Sequence, residues 1–353
     1  MTMVTSIAAP AFADAYGIAL YGTHYLDQGN ITVEVRGGQY YVNDVLDDDG
    51  PVIIKNHEDE SDTTSVSNTI TIHAEDGEAN VTLKDVDIVT NGEANKSGIT
   101  VKADKTKTAT VNVTLDNVTV DAREDASSEG ATGGAGMTIQ GNGVVNIELD
   151  GKNELLAGDG HAGLEKNRTE SVGSLNINDS NEDGGSLTAI GGDGGAGIGG
   201  GKGDMGSGLY ILNGTVNAYG KGGGAGIGGG DGAGAHMVGL NAGVPGVNDA
   251  YEPTVTAVGS EGAAGIGGGK GGRLTDAVLS SGTLTGTMET LEYLQAHGAQ
   301  TIVFTTSQRT SSFQISDLLA LADEGDVFYL THTEANEPTL LVVTSDHTDL
   351  LEG

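Results

Sequence analysis

Few side chains in this sequence combine the types and spacing that chemistry requires. Arg123 follows Asp121 and precedes Glu124 and Asp125, so one guanidinium shares a short segment with three carboxylates. Such a cluster can exchange protons or hold a divalent cation; it also reads as a hydrated turn. Other acidic groups stand at Asp47, Asp48 and Asp49, at Glu58, Asp59, Glu60 and Asp62, and at Asp179, Glu182 and Asp183. Carboxylates in turns suit the flexible oxygen shell of calcium. Asp121, Glu124, Asp125, Asp179 and Asp183 are therefore the candidate metal ligands, with calcium as the candidate ion. The glycine-aspartate calcium nonapeptide does not fit, because Gly200-Gly-Lys-Gly-Asp204 sets its Asp one residue early. Tyr210 and Tyr219 offer rings on which a sugar could stack, although edge packing is the commoner fate of such rings. Tyr16, Tyr21, Tyr25, Tyr40 and Tyr41 cluster near the start of the chain, and Tyr251 stands in an insertion.

What positions these residues is a repeat. Gly194-Gly-Ala-Gly-Ile-Gly-Gly-Gly201, Gly223-Gly-Ala-Gly-Ile-Gly-Gly-Gly230 and Ala263-Ala-Gly-Ile-Gly-Gly-Gly269 share one core. Looser copies place Ile99, Met137 and Leu164 where these have Ile198, Ile227 and Ile266, at spacings of 38, 27, 34, 29 and 39. A second ladder, Val81, Val113, Ile147, Ile177 and Ile211, has spacings of 32, 34, 30 and 34. Each member lies in an alternating apolar-polar stretch such as Asn112-Val-Thr-Leu115, the pattern of a half-buried strand. A third ladder follows each second one at Val86-Asp-Ile88, Val118-Thr-Val120, Leu187-Thr-Ala189, Val216-Asn-Ala218 and Val255-Thr-Ala257. Three short strands per repeat of roughly 30 residues predict a right-handed parallel β-helix, a three-faced solenoid of about seven coils. Glycine suits the places where neighbouring coils come close or φ is positive. Insertions are expected at Val238 to Tyr251 and Glu165 to Val172. The organisation expected is 1–15 a signal-peptide remnant or disordered tail, 16–287 the helix, and 288–353 a small α+β cap. In the last, Glu289 to His297 and Ser316 to Ala322 read as helices, the latter N-capped by Ser316.

Composition narrows the partners. The chain has 353 residues, with 16 Lys and Arg against 50 Asp and Glu, a net charge of −34. Nucleic acid is a poor partner for such a chain, since phosphate binding needs clustered cations. No apolar run is long enough for a membrane span. Cysteine is absent, which removes disulfides and thiolate metal sites. Glycine supplies 60 of 353 residues, about 17% against a usual ~7%, and Trp is absent, so the core must be built from Val, Ile, Leu, Ala and Thr. Ala11-Phe-Ala13 before Asp14 fits a signal-peptide cleavage site, and a secreted or cell-surface location is expected.

The order of the ladders resembles that of secreted Firmicutes carbohydrate-binding β-helix proteins and the broader pectate-lyase-like superfamily. The matching stretches are Asn80 to Ile88, Ser97 to Ile99, Asn112 to Val120, and Gly184 to Ala189 ahead of Ile198, and the likeness spans roughly residues 30 to 285. It implies glycan binding at a bacterial surface, with calcium as a possible companion. Lyases of that superfamily use an Arg or Lys base beside carboxylate-held calcium, which points to Arg123. Hydrolases use paired Asp residues with a Gly-His-Gly element; Gly158-Asp-Gly-His-Ala-Gly163 matches only in part, and His161 reads better as a turn residue. The expected function is a polysaccharide-binding or adhesive module. An acidic-polysaccharide lyase or hydrolase, and a structural stalk of a larger surface protein, stand as alternatives. An ice-binding surface would need a flat Thr-x-Thr array, and Thr69/Thr71 and Thr254/Thr256 are isolated in the sequence. Oligomeric state is not legible.

Overall fold

The computed structural model describes residues 22–48, 50–91, 93–104, 109–123, 132–181, 183–240 and 253–272, and beyond them 277–279, 281–287, 291–292, 295, 301–305, 310–321, 327–333 and 339–343. The fold is an all-β, right-handed parallel β-helix. A coil runs from Ile99–Ala103 on one sheet to Thr110–Asp116 on a second and Thr119–Ala122 on a third, then returns at Met137–Gly141. We call these the narrow, long and side sheets. Each strand pairs in parallel with its counterpart one coil away, so the backbone groups of one coil are satisfied by the next. The side sheet holds six strands, from Asp87–Val89 to Thr254–Val258, so about six turns are complete. That is one fewer than the repeats predict. Ahead of Asp87–Val89 the acidic segment around Asp59 loops out, and Val66 makes only an isolated bridge to Ile88.

The three predicted ladders are the three inward columns. Ile99, Met137, Leu164, Ile198, Ile227 and Ile266 stack in register on the narrow sheet, preceded by Ile31 and Ile70. All are buried, as are Val81, Val113, Ile147, Ile177 and Ile211 of the long sheet. The narrow sheet shortens from five-residue strands such as Ile99–Ala103 to two-residue strands such as Ile198–Gly199. Over the same coils the inward side-sheet residues change from Ile88, Val120 and Leu155 to Ala189, Ala218 and Ala257. Smaller side chains fill a smaller cross-section at constant packing density.

Glycine is required where the narrow strands end. Gly199, Gly228 and Gly267 stack at φ of 132°, 138° and 141°. A β-carbon on Gly228 would stand 1.9 Å from the carbonyl oxygen of Gly267. At the corner between long and side sheets, Asp85, Asn117 and Gly151 occupy equivalent positions at φ of 52°, 57° and 63°. Asp, Asn and Gly are the residues that adopt the left-handed region at least strain.

Some expected boundaries move. Val238 is a buried core residue paired with Leu209, so that strand runs over Ala235–Leu240 and the insertion starts later. Glu165 likewise belongs to the strand Leu164–Glu165. Gly22–Tyr25 pairs in parallel with Val52–Lys55, within the span expected for the helix. Beyond Ala277–Leu279 the long sheet continues through antiparallel strands Thr339–Val343, Thr301–Thr305 and Thr310–Gln314. The helix there spans Ile315–Leu321, which places Ser316 inside its first turn rather than at the N-cap. Most of the helix expected at Glu289 to His297 lies outside the described residues.

Candidate functional site

The predicted chemistry is largely spent on local structure. Arg123 lies half exposed and clasps its own neighbour: Nε is 2.9 Å from Asp121 Oδ1 and Nη2 is 2.5 Å from Oδ2. The guanidinium holds the Asp121 carboxyl below its ordinary range. Glu124 and Asp125 lie outside the described residues. A base already paired in this way has no proton-accepting capacity to offer a substrate.

Several of the other acidic groups are also taken up by neighbouring side chains and backbone. Asp59 accepts from the Ser61 N–H and hydroxyl, and Asp62 does the same for Thr64. Glu60 pairs with Lys55, and Asp47 with His24. Asp49 and Glu182 lie outside the described residues. Asp179 is buried beneath its turn, where one carboxylate oxygen accepts the Gly185 N–H at 3.1 Å and the other has no hydrogen-bond partner. Burial, then the neighbouring Asp183 charge, pushes the Asp179 carboxyl up. Among the described residues no group of three or more His, Asp or Glu side chains is disposed to hold a metal ion.

Coil residues near His161 form a polar cluster that the repeats do not announce. The two ring nitrogens of His161 face Glu165 Oε2 at 3.0 Å and Asn95 Oδ1 at 3.1 Å. The Glu165 hydrogen bond raises the imidazole pKa. His161 closes the turn from Gly158, as expected, and its ring also bridges coils. Next to it, Lys166 is 0% exposed. Its Nζ donates to the carbonyl oxygens of Ser207 at 2.6 Å and Ser171 at 3.3 Å, and no described carboxylate pairs with it. Burial pulls its pKa down to about 8. A shallow groove of about 500 Å³ lies at the first corner, lined among others by Lys55, His57, Lys84, Asp87 and Asn117.

Outward side chains form columns at one-coil steps. On the long sheet, Asn112 Nδ2 donates to Asn80 Oδ1 at 2.8 Å, Asn146 to Asn112 at 2.7 Å, and Asn176 to Asn146 at 2.8 Å. Tyr210 is the next member of this column, and burial raises its phenol pKa. Tyr40 closes the other end, its hydroxyl accepting the Asn80 N–H at 2.8 Å. On the narrow sheet, Thr32, Thr71, Thr100 and Thr138 stack in register. Tyr219 belongs to the same coil as Tyr210 but points out from the side sheet, so the two rings do not share a platform. Its column continues through Ile190 and Val258. Beside it runs the column Thr188, Asn217 and Thr256, and then Ser186, Thr215 and Thr254. Thr254 and Thr256, isolated in the sequence, are therefore the last row of a three-coil array. Sequence separation hides this, because the array is visible only once the coils are in register.

No described helix is long and apolar enough to cross a membrane. Comparison with protein-family models, with curated proteins and with solved structures finds no match for this chain.

Proposed function

We propose that this chain is a polysaccharide-binding module that works outside the cell, as a secreted or surface-displayed protein. The observation that carries the reading is the set of outward hydrogen-bonding columns repeated at one-coil steps, such as Thr188, Asn217 and Thr256. A polymer of repeating hydroxyl-bearing units matches a surface of repeating donors and acceptors, and many modest contacts in register add to useful affinity. Arg123, the one catalytic candidate, is clasped by Asp121, which favours binding over lyase chemistry. The test is retention of the purified chain on insoluble and gel-immobilised polysaccharides, in calcium and then in EDTA, followed by sizing of the ligand. Retention without shortening is expected. Shortened ligand would replace the module by an enzyme, and loss in EDTA would add calcium to the site.

A further inference from the structure

Resting on that glycan-binding reading, we infer that the ligand is an uncharged polysaccharide seated on the outer face of the last three side-sheet strands, over residues 186–190, 215–219 and 254–258. Within the paired register these strands present hydroxyls and a carboxamide in two columns and Ile190, Tyr219 and Val258 in a third. Over residues 186–190, 215–219 and 254–258 no charged side chain stands, although the chain carries 16 Lys and Arg and 50 Asp and Glu; Asp193 and its partner Lys221 lie past the register shift at the strand ends. Charge stops one strand earlier, at Lys152 and Glu154, which pair with Ser186 and Thr188. The outer long sheet is different, with Glu78, Lys84, Asp116, Glu148 and Asp150.

Charge decides what can occupy this terrace. An anionic polymer, or a second copy of this chain, meets the repulsion of a −34 molecule. A polycation gains more on the carboxylate-bearing columns of the long sheet. An uncharged, hydroxyl-rich polymer can settle on the terrace without desolvating any charge, the costliest step in burying a surface. The terrace is about 10 Å across its three coils and about 13 Å along five strand residues. Its hydroxyl and carboxamide groups replace water at sugar hydroxyls, and the Tyr219 ring supplies an apolar face for a pyranose to stack on.

The full chain would be tested for retention on microcrystalline cellulose and insoluble chitin, both uncharged, and on immobilised polygalacturonate, which is anionic. Thr188→Asp places a carboxylate in the terrace; Thr114→Asp makes the same change on the outer long sheet; Tyr219→Ala removes the ring. All three positions face outward, and circular dichroism checks that the variants fold. Retention on an uncharged matrix is expected, insensitive to salt, weakened about tenfold or more by Thr188→Asp and by Tyr219→Ala, and unchanged by Thr114→Asp. Retention on polygalacturonate alone, or loss with Thr114→Asp but not Thr188→Asp, overturns the terrace and leaves glycan binding standing. No retention on any polysaccharide overturns both readings. Ice shaping without glycan retention assigns the array to ordered water and overturns the inference as well.

Discussion

Replacing Lys166 by Met should change the sign of its effect on stability between neutral and alkaline pH. The ammonium is fully buried, and its pKa falls from 10.5 to about 8. At about 1.4 kcal/mol per pH unit, keeping that charge in the fold costs about 3 kcal/mol at neutral pH. The sign follows from proton counts. Below pH 8 both folded and unfolded chains carry the proton and the full cost is present. Between about 8 and 10.5 only the unfolded chain carries it, so stability rises with pH and the cost is relieved by the upper end. Met fills similar volume without charge, but leaves the carbonyls of Ser171 and Ser207 without their donor, at about 1–3 kcal/mol. The variant should therefore equal or exceed the wild type near neutral pH and fall below it near pH 10.5, a relative swing of about 3 kcal/mol. Urea midpoints for both proteins across that range give the difference. The raised phenols of Tyr40 and Tyr210 titrate in both proteins and cancel. A difference that stays flat with pH would refute the buried-charge argument.

Gly228→Ala puts a β-carbon 1.9 Å from the Gly267 oxygen at a φ of 138°. It should cost at least about 3 kcal/mol and expose the last coils to limited proteolysis. Asn146→Ala removes two rungs of the carboxamide ladder and should cost about 1–3 kcal/mol in chemical denaturation. His161 has a raised folded pKa, so its bond to Glu165 contributes fully below the unfolded value near 6.5 and is lost as pH rises through the folded one. The stability gap between wild type and His161→Gln should accordingly be wider at acid pH than above neutrality. Asp179→Asn keeps the acceptor for Gly185 and removes a buried charge, so it should raise the thermal midpoint. A midpoint that calcium raises in the wild type but not in this variant would instead make Asp179 a ligand.

The ladders were legible because burial acts on one residue per coil. An inward position must be apolar in every turn, so Ile198, Ile227 and Ile266 repeat even where their flanks diverge. The glycines were legible for the same reason, since close approach of neighbouring backbones admits no side chain. Site residues were harder. Arg123 and Asp121 looked like paired chemistry, yet two residues apart at the end of a strand they reach each other first. The side-sheet terrace was hidden because outward positions carry no uniform identity: Thr188, Asn217 and Thr256 share polarity but not type. Lys166 gave no signal, because a lysine in an insertion reads as solvated until the fold shows its ammonium inside.

The acidity and the uncharged terrace belong to one physical arrangement. A β-helix offers flat faces and unpaired end strands, both of which invite copies to associate. Carboxylates at turns and on the long sheet keep copies apart through their common sign. The edge strand Val45–Asp47 bears the exposed Val45 and Leu46, and it is flanked by Asp44 and Asp48, where another strand would have to approach. A face free of charge within so acidic a molecule then stays open to neutral partners while remaining closed to its own kind. Were solubility the only demand on this surface, the last three side-sheet strands would gain from carboxylates as much as the rest. Their absence from residues 186–190, 215–219 and 254–258, with Asp193 set apart beyond the register shift, is what selection for an uncharged ligand would leave.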